Sequence, residues 1–205
     1  MTQETYSLDD LRTRAGPPLK LTHPSDGLHP SVQVQESSLG GYGLFAIADI
    51  PQGTILWSDE SSTDVPVRIA DVLALEDPIK QRNIVHYGYQ VSTEHVCGAW
   101  SPEAAKDDVA NFMNHSCDPN CWFEDDTTMS ARRNIKRGEE ITYDYATSET
   151  YEWPSNLKKP LDPCLCGTAL CRGKMTPHDW KLVELRKRYG RHWMKYILEL
   201  FDQGL

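Results

Sequence analysis

Three cysteines within one short loop, Cys164-Leu165-Cys166-Gly167-Thr168-Ala169-Leu170-Cys171, constrain this chain more than any other stretch of it. Thiols packed this closely read as a metal site, and structural zinc takes four ligands in a tetrahedron. The loop supplies three. A fourth ligand is needed from elsewhere in the chain, and a bound metal would contribute directly to folding. Cys97, Cys117 and Cys121 are the remaining cysteines. Cys97 reads as a buried thiol, which leaves Cys117 and Cys121 as rivals. Metal is favoured over disulfides because Met1–Tyr6 lacks a basic-then-apolar leader. That points to a reducing compartment, the cytoplasm or, in a eukaryote, the nucleus.

The length of 205 residues suits one domain with appended elements, and no apolar run approaches a bilayer span. The net charge of −9 is unevenly spread. Residues 171–195 hold Arg172, Lys174, Lys181, Arg186, Lys187, Arg188, Arg191 and Lys195 against Asp179 and Glu184. An acidic body suits a basic peptide and the basic tail an acidic partner, although solvated faces account for both. Direct nucleic-acid binding and a membrane are not expected.

Along the chain, residues 1–30 read as a short helix capped at Ser7, followed by an arm broken by Pro17, Pro18, Pro24 and Pro30. Residues 31–57 alternate as strand, glycine turn and strand. An insert at 64–90 reads as one or two helices broken near Pro78, with Ile69, Val72 and Leu73 on one face. Residues 91–100 return to strand, 101–111 to a small helix, and 129–145 to two strands about the turn at Lys136–Glu139. A proline-rich connector occupies 146–163. Leu182, Leu185, Tyr189 and Trp193 share a helical face that Tyr196, Ile197, Leu200 and Phe201 continue, with Gly190 bending or dividing the helix. That face packs on its own domain or on a second copy as a homodimer.

Three further motifs precede the cysteine loop: Gly41-Tyr42-Gly43-Leu44-Phe45-Ala46, Asn114-His115-Ser116-Cys117-Asp118-Pro119-Asn120, and Gly138-Glu139-Glu140-Ile141-Thr142-Tyr143-Asp144-Tyr145. With the loop they resemble, in order, the signatures of SET-domain protein-lysine methyltransferases carrying a post-SET zinc segment. The resemblance covers residues 30–174. It implies a mainly β fold with minor helices, a β-clip of small twisted sheets in which segments 114–120 and 138–145 form a pseudoknot. The implied organisation is an N-terminal arm (1–30), a SET domain (31–150), a post-SET zinc segment (151–175) and a C-terminal helical extension (176–205).

The resemblance also implies roles. Cys117 joins Cys164, Cys166 and Cys171 around zinc. Gly41, Tyr42 and Gly43 wrap S-adenosylmethionine with backbone groups. Phe112, Asn114 and His115 line the same cofactor and Leu165 covers its adenine. Tyr145 is the catalytic tyrosine, and Tyr143 beside it favours mono- or dimethylation of a lysine in a protein or peptide. Two residues apart on an extended segment, these tyrosines would point the same way. No dedicated base is required, because a narrow apolar channel and a nearby positive charge both depress a lysine pKa.

The match is incomplete. Asn111 stands where the family usually has arginine, and the stretch Trp57-Ser58-Asp59-Glu60-Ser61-Ser62 lacks a tyrosine that commonly lines the substrate channel. Those departures leave room for a SET scaffold acting on a small molecule, or for a binding module without methyl transfer.

Overall fold

The computed structural model describes residues 27–58, 66–98, 109–157 and 163–205. The Ser7 cap, most of the arm and most of the helix expected at 101–111 lie outside the described residues.

Among the described residues, ten short strands make three small sheets. The four-stranded sheet has the order β1 (Val32–Glu36), β2 (Tyr42–Ala46), β10 (Glu140–Tyr143), β7 (Asn114–His115). A second sheet places β9 (Thr128–Ala131) between β3 (Ile55–Ser58) and β8 (Cys121–Asp125). The third places β6 (His95–Cys97) between β4 (Val67–Arg68) and β5 (Tyr89–Gln90). The class is mainly β with minor helices, as expected from the resemblance. β1 and β2 pair antiparallel across the glycine turn, Val32 opposite Ala46 and Glu36 opposite Tyr42. β7 and β10 pair in parallel, Thr142 opposite Asn114 and Tyr143 opposite His115. Between them the chain leaves for another sheet and returns, which is the threading of segments 114–120 and 138–145.

The insert at 64–90 is two helices, α1 (Ile69–Leu73) and α2 (Pro78–Tyr87), flanked by β4 and β5. Asp77 stops the chain between them: its carboxylate accepts the Ile79 and Lys80 amides, and Pro78 starts α2 where its missing N–H costs nothing. Ile69, Val72, Ile84 and Val85 are buried with Val96, Trp153 and Leu157 in a small separate core. The connector after residue 146 therefore folds back onto the insert, although its prolines suggested no regular structure.

Gly190, at φ +56, divides the C-terminal helix into α3 (Val183–Tyr189) and α4 (Lys195–Asp202). Leu185, Tyr189, Trp193, Met194 and Ile197 lie in the main core with Leu44 and Ile141. Burying side chains of this size is worth roughly 1.5–3 kcal/mol each. Most of the face on which the homodimer expectation rested is buried in the chain's own core, with Leu182, Leu200 and Phe201 partly buried against it. The basic tail is also partly engaged at home. The Arg186 guanidinium stacks 4.1 Å over the Phe201 ring and donates to the Leu205 carbonyl. Arg188 donates to the Cys117 carbonyl, and Arg191 pairs with Asp202. Among the described residues no helix is long and apolar enough to cross a membrane.

Candidate active site and cysteine cluster

The four-stranded sheet gathers the three motifs. β2 begins at Tyr42, β7 is Asn114-His115 and β10 ends at Tyr143, so residues far apart in sequence become neighbours across the ladder. Asn114 fastens them: its Nδ2 donates to the Tyr42 carbonyl at 3.0 Å and to Glu140 Oε1 at 2.6 Å. Ser37 donates to the other Glu140 oxygen at 2.9 Å. The Asn120 side-chain amide bonds the β10 backbone, its Nδ2 donating to the Glu140 carbonyl at 2.8 Å and its Oδ1 accepting from the Thr142 amide at 2.9 Å. The Phe112 ring meets Tyr42 edge-on, with centroids 6.0 Å apart. Gly41, at φ +67, makes the turn. Gly43 keeps the surface flat for a different reason, since a Cβ there would fall 2.1 Å from Glu140 Oε1.

Tyr143 and Tyr145 line one side of an aromatic cavity of about 60 Å³. Trp57, Tyr87, Tyr89 and Phe123 form other walls. Asp126, His86 and Asn111 are among its polar lining. Trp57, from the stretch without the family's tyrosine, lines this cavity together with residues at the end of α2 and in β5. The insert, read from sequence only as helices, carries Tyr87 and Tyr89. Only Tyr143 belongs to the strand. Asp144 caps a 3₁₀ turn, Tyr145–Thr147, by accepting the Ala146 amide, and the tyrosine rings still meet with centroids 4.8 Å apart. The Tyr145 hydroxyl donates to the Met113 carbonyl at 3.1 Å, and that of Tyr143 lies 3.4 Å from Ser148 Oγ. Burial pushes both phenols up, so both stay neutral and able to donate.

His115 is turned away from the cavity. Its Nδ1 accepts the Tyr145 amide at 3.2 Å, which leaves Nε2 to carry the hydrogen and donate to Cys117 Sγ at 3.3 Å. Burial is the main reason its pKa falls to about 4, holding the ring neutral.

Cys117, Cys164, Cys166 and Cys171 converge, with all four sulfurs within 4.8 Å of one another. Zinc–sulfur bonds of about 2.3 Å in a tetrahedron require sulfurs about 3.8 Å apart. Cys117 and Cys164 stand at 3.9 Å. The donor set and spacing fit structural zinc. Burial pushes the Cys117 and Cys164 thiols up, Cys164 to about 11. At Cys166 burial is outweighed by the Thr168 hydroxyl and amide and by hydrogen bonds to Cys117 and Cys164, which bring it down to about 6. A ready thiolate suits a metal ligand. Backbone amides of Arg172 and Gly173 donate to Cys117 and Cys171 sulfurs, each at 3.4 Å. The rival Cys121 points elsewhere, into the core, where its thiol donates to the Thr142 carbonyl. Cys97 is buried in β6, as expected. Leu165 lies exposed between two cluster cysteines.

A sequence model of the SET domain matches residues 41–146. This chain belongs to the SET-domain family. The matched segment of this SET domain contains Cys117 but ends before Cys164, so the cluster ties the domain to the segment beyond it. Similar curated proteins include "Histone-lysine N-methyltransferase set-2" of Caenorhabditis elegans, 31% identical over 69% of this chain and 9% of that protein. "Histone-lysine N-methyltransferase, H3 lysine-4 specific" of Cryptococcus neoformans is 32% identical over 67% of this chain and 9% of that protein. The chain thus spans about a tenth of the length of these relatives. Among solved structures, KRYPTONITE in complex with mCHH DNA, an H3(1-15) peptide and SAH aligns with a TM-score of 0.50. That alignment is 23% identical over 73% of this chain and 30% of the other, a likeness of fold.

Sequence reasoning passed over four residues that the SET-domain site depends on. Glu140 anchors Asn114, and Asp144 caps the tyrosine turn. Arg172 bonds Asp144 with both terminal nitrogens, each at 2.7 Å, and the Tyr189 hydroxyl donates to Asp144 at 2.9 Å. One signal was available. A carboxylate between two buried tyrosines must find a cation or several donors, because a lone buried charge is too costly to keep. Nothing in the sequence says which cation answers it.

Proposed function

We propose that this SET domain transfers a methyl group to the side-chain amine of a lysine in a protein or peptide, stopping at the mono- or dimethyl product. The observation that carries the reading is the aromatic cavity that ends on Tyr143 and Tyr145, alongside the sheet holding Gly41–Gly43 and Asn114. The histone-lysine activity named for the similar proteins supports the same substrate class. Aromatic walls at Trp57, Tyr87 and Tyr89 suit a long alkyl amine and favour this reading over a small-molecule scaffold.

S-adenosylmethionine supplies an electrophilic methyl when bound. Gly41, Tyr42 and Gly43 would hold it through their backbone, with Phe112, Asn114, His115 and Leu165 around it. Both ring nitrogens of His115 and the amide nitrogen of Asn114 are already committed within the protein, so their share in binding comes from backbone atoms and from Asn114 Oδ1. At pH 7 only about one lysine in 2,500 is neutral, a handicap of about 4.6 kcal/mol against attack. The apolar walls lower it by disfavouring the ammonium form. Tyr145 orients the amine through its hydroxyl, and Tyr143 restricts the room beside it. Cys117, Cys164, Cys166 and Cys171 would hold zinc, which would fasten the segment after residue 163 against this site.

The test is methyl transfer from labelled S-adenosylmethionine to core histones and histone peptides. Label on lysine that disappears with Tyr145→Phe is expected. Cofactor binding with no transfer to any histone or lysate protein would sink the proposal.

A further inference from the structure

Asp144 and Arg172 form a buried ion pair beside the site, with side chains 0% and 14% exposed. Arg172 follows the cluster ligand Cys171, and Asp144 precedes Tyr145. Both guanidinium terminal nitrogens meet the carboxylate at 2.7 Å, a planar two-point contact that fixes angle as well as distance. The ends are held independently. Arg172 Nε donates to Asp179 at 2.8 Å, and Asp179 accepts Thr176 on its other oxygen. Asp144 accepts the Tyr189 hydroxyl and the Ala146 amide. At the cluster end the Arg172 amide donates to Cys117 Sγ. A rigid path of bonds thus runs from cluster sulfur to the turn that carries Tyr145.

We propose that Arg172 and Asp144 are positioning residues, a buried strut through which the four-cysteine cluster sets the placement of Tyr145. It rests on the reading of Tyr145 as the tyrosine that orients the amine. Residues 163–173 contribute most of the cluster and the arginine end. A metal held by the four cysteines would order that segment, which delivers the guanidinium that locks the Asp144 cap from which the tyrosine turn departs. Uncoupled from Arg172, Asp144 becomes a buried charge short of its cation, and the turn shifts to solvate it.

The experiment is a cycle on the full chain, wild type against Arg172→Gln, each zinc-loaded and chelator-treated. Amide hydrogen exchange at Ala146 and Thr147 is the readout. Their amides bond to the Asp144 carboxylate and carbonyl, so they report the turn without any turnover. In wild type, chelation is expected to speed their exchange at least roughly tenfold, about 1.4 kcal/mol of lost protection. In Arg172→Gln exchange is expected to be fast with zinc still bound, and chelation to add little. Wild-type protection in zinc-loaded Arg172→Gln overturns the strut, as does an unchanged response to chelation. If the glutamine variant does not fold, Arg172→Lys keeps the charge, loses the two-point contact and is held to the same criteria. Methyl transfer is read in parallel: kcat should fall with zinc retained, while KM for S-adenosylmethionine holds. Coupled protection without transfer by the wild type leaves the strut and removes the enzyme reading. Transfer by the wild type with uncoupled protection does the reverse.

Discussion

Gly43→Ala is expected to destabilise the domain by about 1.5–3 kcal/mol, the worth of hydrogen bonds to a charged group. The backbone at Gly43 is ordinary, since it is not among the glycines at positive φ. The obstacle is a carboxylate. A Cβ would sit 2.1 Å from Glu140 Oε1 and 2.9 Å from its Cδ, with Asn114 Nδ2 at 3.0 Å. Glu140 would have to swing away, losing its bonds from Asn114 at 2.6 Å and Ser37 at 2.9 Å. Chemical denaturation of four proteins tests this: wild type, Gly43→Ala, Glu140→Ala and the double variant. If the carboxylate is the obstacle, Gly43→Ala costs within about 0.5 kcal/mol of nothing in the Glu140→Ala background. An alanine at a compatible strand position even restricts the unfolded chain. Gly41→Ala is the contrast. Open space surrounds it at φ +67, so its cost of about 1–2 kcal/mol comes from the backbone and is indifferent to Glu140. An equal cost for Gly43→Ala in both backgrounds would refute the reasoning.

Metal analysis should return about one zinc per chain. Cys117→Ser should release it, whereas Cys121→Ser, whose thiol faces the Thr142 carbonyl, should retain it. Tyr145→Phe removes one hydrogen bond to the Met113 carbonyl, so about 1 kcal/mol of stability should go while methyl transfer falls much further. Mass spectrometry of methylated peptide should show Tyr143→Phe shifting product toward higher methylation. His115, held neutral by burial with a pKa of about 4 against 6.5 when unfolded, favours folding fully above pH 6.5. That contribution, up to about 3 kcal/mol, is lost as pH falls from 6.5 toward 4, because there the unfolded chain binds the proton first. Denaturation midpoints should flatten over that window in His115→Gln, and identical pH profiles would count against the neutral ring.

Much of this protein was legible as one-dimensional pattern. Three cysteines in a loop announced a metal site short of one ligand. The apolar periodicity of 182–201 announced buried helices, and Gly190 their break. The partner across the glycine turn is Tyr42–Ala46 and not the strand expected to resume at Ile55–Trp57, which joins another sheet, but the turn itself and the alternation at Val32 and Val34 were legible. Such features depend on neighbours within a few residues, where covalent geometry fixes which side chains share a face. Cys117 against Cys121 was a different kind of question. Both are fully buried, and position in the chain does not rank them. The parallel pairing of β7 with β10 decides it, carrying Cys117 toward the C-terminal loop, while β8 turns Cys121 inward.

The tyrosine pair shows the boundary most sharply. Spacing alone predicts a shared face on a strand, and the rings do meet, but Tyr145 reaches its place through a turn capped by Asp144. His115 likewise looked like a cofactor residue, and only the fold shows its ring spanning from the Tyr145 amide to Cys117. By itself the sequence determined the ligand chemistry, the apolar faces and the turns. Tertiary structure alone decided which arginine answers Asp144 and which aromatic residues wall the cavity, and it brought Cys117, the cysteine the resemblance had pointed to, into the cluster. Those choices rest on segments brought together from across the chain, and closure between distant residues leaves no periodic trace along it.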